Sequence, residues 1–592
     1  MVSATQLLAG LGLGLLTLAE GRACESKPTV TIKNGTYYGV HNSEFNQDFF
    51  LGMPFAKVSQ PKPERFSLAE GLDSKWREKR PATEYPKHCY GYGADQIGYE
   101  ESEDCLYINV IRPAGIPKDA KLPVATWIYG GGLTNGGSAD RRYNMSFFVE
   151  NSVAQGTPII GVSFNYRLSV FGFLNGKEAL DAGVTNIGFR DQRLALRWLN
   201  ENIEAFGGDK NAVSIFGESA GAESVTAQVF AYKGQHDGLF RSAAAQSGFG
   251  SMIWRQPGGL NATKAQQTTY DTLVKRVPSC ADLVGSPASL DCLRALPFED
   301  INKALNYTGD GPGTWPPVLD GDFISDYFSN QLERGEFAKV PILIGTNTDE
   351  GAGNFGQKRG PNGTGINSDA DMRFALRNVF PPEAAENTGK AIDQLIDEVM
   401  YVYPNIQRVG IPNLDMWPHV IQPGDEYAET LGLQFRRGAA FFGDLWMQYA
   451  RRRANLAWSE HGLKSYSYRF DVQVFGNSLI GSTHFHEVAF VFNNLKGLGY
   501  ATNPFGGDDA EYIAQAKALS GTMNKAWINF FAGVDPNSDG TDVAWPEYDA
   551  EAGGGAGQNI VFDLEGSHTE WDDYRAEGMN WFIKNALTVF GS

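Results

Sequence analysis

The sequence predicts an α/β protein with a mostly parallel central sheet, helices on both faces and long insertions. Three observations carry this. Residues 124–129 (VATWIY), 158–165 (PIIGVSFN), 212–216 (AVSIF) and 341–345 (PILIG) are short, nearly continuous apolar runs, the pattern of strands covered on both faces. Between the second and third of them, residues 191–206 carry Leu194, Leu196, Trp198, Leu199, Ile203 and Phe206 at roughly helical spacing. Glycines follow two of the runs directly, at 130–132 and on either side of Ser219, where open parallel sheets place their ligand sites.

Taken in order, residues 124–129 run as a strand into Gly130-Gly131-Gly132, and residues 158–165 form the next strand. The helix at 191–206 ends at Gly207-Gly208, and residues 212–216 make a short strand. A helix-compatible run opens at Ala220. Residues 341–345 give one more strand, and residues 351–425 read as insertion and helices. The chain has 592 residues but no linker, repeat or low-complexity run to divide it, so residues 24–592 are expected to be one domain.

Residues 1–23 read as a signal peptide. The apolar run at 7–18 is too short to span a bilayer and is followed by the small residues Ala19, Gly21 and Ala23. No Lys or Arg precedes it, and a buried N-terminal helix is the alternative. No other stretch suggests stable membrane insertion. The formal net charge of −19 argues against nucleic acid and anionic lipid as partners. Oligomeric state is not legible.

Five cysteines are present, at 24, 89, 105, 280 and 292. In an oxidising compartment Cys89–Cys105 and Cys280–Cys292 are the natural bridges because short loops close at low entropic cost, although four cysteines allow three pairings. There is no C-x-x-C and no clustered Cys/His spacing, so no metal is expected. Asp535-x-Asn537-x-Asp539-Gly540 resembles the start of a calcium loop, but Pro546 stands where the closing glutamate is required. No cofactor signature is found. Sequons at Asn34, Asn144, Asn261, Asn306 and Asn362 fit a secreted glycoprotein.

Gly217-Glu218-Ser219-Ala220-Gly221 is a G-x-S-x-G between a strand and a helix, the context in which a sharp turn lifts a nucleophilic serine above a sheet. The N–H of Ala220 and those of Gly131 and Gly132 are candidate oxyanion donors.

These segments and others in order resemble the type-B carboxylesterase/lipase family. They are residues 103–110 (EDCLYINV), 127–132 (WIYGGG), 165–167 (NYR), 191–196 (DQRLAL), 206–209 (FGGD), 216–221 (FGESAG), 246–248 (QSG), 347–351 (NTDEG) and 535–537 (DPN). The resemblance implies an α/β-hydrolase fold and a secreted serine carboxylic ester hydrolase acting on a small-molecule ester. It implies a triad of Ser219, Glu350 and His484 that works through an acyl-enzyme. His486 is a rival base and Asp349 a rival acid. The resemblance further implies polar support for the triad from Glu218, Ser247 and Glu487, and bracing pairs Arg65–Glu103 and Arg167–Asp191.

The fifteen residues between Cys89 and Cys105 are polar and glycine-rich and lack tryptophan. An amphipathic lid needs an apolar underside, and a cation–π choline site needs an aromatic face. Both departures favour a general carboxylesterase over a lipase, which is the alternative, or a cholinesterase. A non-catalytic binding protein on the same fold is the reading from another class.

Overall fold

The computed structural model describes residues 27–57, 65–251, 259–306, 313–353, 355–477, 480–538 and 543–592. The signal-peptide reading of residues 1–23 and Cys24 lie outside them. Among the described residues an eleven-stranded sheet runs through the molecule. Its strands are β1 (Val40–Asn42), β2 (Gln47–Pro54), β3 (Tyr107–Pro113), β4 (Leu122–Ile128), β5 (Ile160–Phe164) and β6 (Gly208–Glu218). They continue with β7 (Ser242–Gln246), β8 (Ile342–Asn347), β9 (Ser465–Phe470), β10 (Gln558–Phe562) and β11 (His568–Trp571).

The spatial order is β1-β2-β3-β5-β4-β6-β7-β8-β9-β10-β11. From β5 to β10 across the sheet every pair is parallel, and both edges are antiparallel. The four apolar runs read as strands are β4, β5, β6 and β8. In the centre, Phe216 of β6 lies beside Trp127 of β4 and Ala244 of β7. The ring centroids of Trp127 and Phe216 are 4.9 Å apart. Helix α1 (Ile187–Asn202) starts four residues earlier than its apolar spacing suggested, and a 3-10 turn at Ile203–Phe206 leads to Gly207. The φ of +87° at Gly207 closes the helix in a conformation that glycine takes without steric cost. Helix α2 (Ala220–Gly234) opens immediately after Ser219.

The other helices used below are α3 (Phe298–Leu305), α4 (Asp369–Arg377), α5 (Ile392–Val402), α6 (Phe435–Gly443), α7 (Tyr449–Glu460), α8 (Ala510–Gly533) and α9 (Ala576–Asn585). Two apolar cores result. One surrounds the sheet, with Trp127, Phe216, Trp458 and Trp527 in it. The other joins α4, α5, α6 and α9 through Leu376, Leu395, Phe441 and Phe582. Helix α7 contributes Tyr449 to the second core and Trp458 to the first. No helix among the described residues is long and apolar enough to cross a membrane.

Cys89 is bonded to Cys105 and Cys280 to Cys292, with Cα–Cα distances of 5.0 and 5.9 Å. Asn34 is buried, and its amide donates to the carbonyls of Leu72 and Ser74, so the folded chain leaves no room for a glycan there. Asn261, Asn306 and Asn362 are exposed, and Asn144 is half-buried.

Candidate active site

Every residue of the expected triad lies beyond the C-terminal end of a parallel strand. Ser219 follows β6, Glu350 follows β8, and His484 follows β9. Ser219 has φ 57° and ψ −125°, a strained conformation for a side-chain-bearing residue. Its surroundings impose that conformation. A Cβ at Gly217 would lie 2.5 Å from the Ile128 carbonyl oxygen, and one at Gly221 2.1 Å from the same atom. The turn therefore packs directly on β4, and only glycine fits on either side. The Ser219 N–H donates to Gln246 O at 2.9 Å, fastening the turn to β7.

The Ser219 hydroxyl Oγ lies 2.9 Å from His484 Nε2, and His484 Nδ1 lies 2.7 Å from Glu350 Oε2. Glu350 Oε1 accepts from Ser247 Oγ at 2.5 Å and from Asn347 N at 2.9 Å. The acid is thus held on both oxygens, with one directed at the imidazole. Burial works against the charged imidazole of His484, but the Glu350 and Glu218 carboxylates outweigh it and raise its pKa above the ordinary value.

His486 sits apart from this relay. Its Nδ1 accepts from Thr483 N at 3.1 Å, and its Nε2 is 2.9 Å from Thr483 Oγ1. Burial pushes its pKa down to about 4. Asp349 is buried and accepts from Ser482 N at 2.8 Å. It is Glu350 that hydrogen-bonds to His484.

The glycine run after β4 lies against the serine, since a Cβ at Gly130 would be 3.1 Å from Ser219 Cβ. Gly131 and Gly132 have φ of 92° and 64°. A Cβ at Gly131 would meet Asn135 O at 2.2 Å. The Gly131 carbonyl is occupied by Asn135 Nδ2 at 2.6 Å and by Thr134 N at 3.1 Å. Among the described residues no acceptor takes the N–H of Gly131, Gly132 or Ala220.

Comparison with known proteins gives the family. The sequence model described as "Carboxylesterase family" matches residues 26–556. The chain belongs to the carboxylesterase family. It is 30% identical to Lipase 2 of Diutina rugosa over 611 residues, covering 97% of this chain and 100% of the relative. Secreted lipase 1 of Botryotinia fuckeliana is also 30% identical, over 95% of this chain and 94% of its own. Among solved structures, Aspergillus niger EstA superposes with a TM-score of 0.75 at 26% identity, covering 95% of this chain and 99% of that one. The α/β-hydrolase fold and a carboxylic ester hydrolase activity follow from these relationships.

In this carboxylesterase the hydrogen-bonded line Ser219–His484–Glu350 is backed by further buried carboxyls. Glu218 is 1% exposed, and its Oε1 lies 3.3 Å from His484 Nε2. Burial raises its pKa well above the ordinary range, against the lowering pull of His484. Glu487 accepts from Asn347 Nδ2 at 2.7 Å and is pushed up to about 7, first by burial and then by Glu350. Burial lifts Asp349 to about 7 as well. The bracing pairs are formed. Arg65 binds both Glu103 oxygens at 2.6 Å, and Arg167 binds Asp191 at 2.7 and 2.6 Å. Sequence reasoning missed Asn347, whose backbone and side chain serve Glu350 and Glu487 in turn. It also missed Phe355, whose ring stands edge-on to His484 at 5.1 Å.

Proposed function

We propose that this carboxylesterase is a secreted enzyme that cleaves small-molecule esters through an acyl-enzyme on Ser219, with His484 as base and Glu350 as its orienting acid. The unbroken hydrogen-bonded line Ser219–His484–Glu350 is the observation that carries this reading. His484 Nε2 takes the hydroxyl proton as Oγ attacks the ester carbon. The tetrahedral oxyanion rests on the N–H groups of Gly131, Gly132 and Ala220. The proton on His484 then passes to the departing alkoxide oxygen, and water deacylates the serine by the same path, releasing the acid. Glu350 orients the imidazole and stabilises its charged form.

Secretion is supported by the two disulfides and by the relative named a secreted lipase. With it go a signal peptide at residues 1–23, one catalytic domain at 24–592, and glycans on the exposed sequons. The test is fluorophosphonate labelling with peptide mapping of the wild-type protein, alongside p-nitrophenyl ester hydrolysis by Ser219→Ala. The probe is expected on Ser219. The variant should keep its thermal unfolding midpoint while turnover falls by roughly three to six orders of magnitude. Retention of more than about a tenth of wild-type turnover would overturn the assignment. A lipase is the second reading, favoured by the named lipases among the relatives.

A further inference from the structure

Phe485, directly after His484, has φ 77°, in the left-handed region that a residue with a Cβ rarely occupies. It stands third in a tight turn that His486 N closes on Thr483 O at 3.3 Å. A positive φ at that place ordinarily calls for glycine. His484 is the second residue of the same turn. Strain of this kind persists only where the surroundings over-determine it, so whatever holds Phe485 also bears on the histidine.

The holding groups come from outside the turn. The Arg142 guanidinium lies over the Phe485 ring, 4.9 Å from its centroid. Tyr143 meets that ring edge-on at 6.2 Å, and Tyr500 stands beside it at 6.3 Å. Arg142 is itself fixed by two carboxylates. Its Nε donates to both Asp140 oxygens at 3.1 and 3.0 Å, and its Nη2 donates to Asp140 and to Asp95. Asp140 also accepts from Arg142 N at 2.9 Å, capping the 3-10 turn Arg141–Tyr143. Gly499 seats against the stem, since a Cβ there would lie 2.8 Å from Arg142 Cγ. Asp95 belongs to the loop between Cys89 and Cys105, and its N–H donates at 3.0 Å to Asn135, the residue whose amide holds the Gly131 carbonyl. A continuous strut therefore runs from the glycine run after β4 through Asn135, Asp95, Arg142 and Phe485 to the turn that carries His484.

We propose that Arg142 is a positioning residue for His484: stacked on Phe485 and anchored through Asp95 and Asp140, it holds the turn in its strained form and keeps the imidazole on the Ser219 hydroxyl. This rests on the Ser219–His484 reading above, because only then does a shift of the turn cost turnover. A cation over an aromatic face is attracted by the ring quadrupole, and the two carboxylates fix where that cation stands. Released from it, Phe485 relaxes towards negative φ and displaces the residue before it. A displacement of about 1 Å among reacting groups costs up to about a hundredfold in rate.

The experiment is a double-mutant cycle between residues 142 and 485. It is read on a soluble p-nitrophenyl ester at the alkaline plateau of the pH profile, where His484 is neutral in every variant. Arg142→Met should lower kcat by roughly 10- to 100-fold and leave KM within about twofold. In the Phe485→Gly background the same change should cost less than about threefold, because glycine holds a positive φ without a clamp. Arg142→Lys keeps the charge but not the planar fork that lies on the ring while reaching both carboxylates, so it should recover only part of the loss. Asp95→Asn leaves Asp140 paired and frees the outer end of the strut. Its smaller loss in kcat should likewise vanish in the Phe485→Gly background, and it decides the matter if Arg142→Met does not fold. The proposal is overturned by an unchanged kcat, by equal losses in the two backgrounds, or by full recovery in Arg142→Lys. If the wild type hydrolyses no ester, or His484→Ala hydrolyses as fast as the wild type, it is the catalytic reading that fails. Urea unfolding of the same proteins then decides the clamp by itself: Arg142→Met must destabilise the chain more with Phe485 present than in the Phe485→Gly background, and equal costs overturn it.

Discussion

The Glu218 carboxyl stands 3.3 Å from His484 Nε2, the same nitrogen that faces the Ser219 hydroxyl. Two groups therefore compete for the proton that catalysis moves. His484 must be neutral to act as base, so kcat/KM rises with pH through its pKa. Glu350 and Glu218 raise that pKa, which places the acid limb above the ordinary histidine value of about 6.5. Glu218→Gln keeps the shape and removes the ionisable partner. Its acid limb should move to lower pH, because the imidazolium loses a stabilising charge. The full pH profile of kcat/KM on a soluble ester reads this, and a limb that stays put or moves up would show that Glu218 does not act on His484.

His484 and His486 are two residues apart and should respond in opposite ways to removal. His484→Ala cuts the relay and should cost at least about a thousandfold in kcat with little change in unfolding midpoint. His486→Ala leaves the relay in place but strips the partner from the Thr483 N–H, a loss of roughly 1–3 kcal/mol in stability. His486 also carries a pH signature. Its folded pKa lies below the unfolded value, at about 4, so the unfolded chain binds the extra proton and stability falls as pH drops from about 6.5 towards 4. The variant should lack that part of the slope. Urea unfolding between pH 4 and 7 tests it, and a turnover loss in His486→Ala matching that of His484→Ala would reverse the roles.

Behind the site, Asp572 binds Arg451 at 2.7 and 2.8 Å, Arg452 at 2.9 Å, Tyr548 OH at 2.9 Å and Asn559 at 3.0 Å, all buried. Burial alone would raise its pKa, but the two guanidinium groups outweigh this and hold the carboxyl far below its usual range. Asp572→Ala leaves two cations buried without their anion and should cost roughly 3–5 kcal/mol. Because the folded pKa is depressed, the wild type has this stabilisation above the unfolded aspartate value of about 3.9 and loses it as pH falls below that. Denaturant titrations at pH 7 and pH 3 should show a large deficit at the first and a smaller one at the second. Equal deficits would mean that the carboxylate charge contributes nothing.

The strands that the sequence makes legible are those covered on both faces by apolar side chains. Strand β9 (SYSYRF) escapes because Ser465 and Ser467 are buried within it, and the Ser467 hydroxyl accepts from Arg451 at 2.7 Å, a satisfaction that exists only in three dimensions. Strand β11 is a mostly exposed edge and carries no apolar run. The residues of the hydrogen-bonded line Ser219–His484–Glu350 were legible because their motifs stand at fixed places along the chain. The edge-on contact of Phe355 with His484 was not, since it exists only in the folded chain. The burial of Asn34 was not legible for a related reason, as its amide bonds to the carbonyls of Leu72 and Ser74.

The loop between Cys89 and Cys105 bears on the choice between esterase and lipase. A lid that opens at an oil surface needs two states with different affinity for it. A bias of roughly 3 kcal/mol takes on the order of 120 Å² of apolar surface at about 25 cal/mol per Å². Tyr90, Tyr92, Tyr99 and Ile97 are the side chains that could supply it, and three of them are engaged elsewhere. Tyr90 stacks on Phe298 of α3 with centroids 3.6 Å apart. Tyr92 donates through its N–H to Thr134 O at 2.7 Å and through its hydroxyl to Asn302 at 2.9 Å. Tyr99 stacks on the buried His88 at 4.2 Å. Asp95 N donates to Asn135 at 3.0 Å, tying the loop to the residue that holds the Gly131 carbonyl. Ile97 alone faces solvent, 80% exposed. Opening this loop would break the supports of the oxyanion glycines while exposing little apolar area. Rate against tributyrin concentration should therefore saturate below the solubility limit, with no jump on crossing it. A sharp rise at that limit would place the interfacial switch elsewhere. The exposed Tyr401, Ile406, Val409 and Val420 between α4 and α6 would then be the surface to mutate, and the lipase reading would replace the open-site esterase.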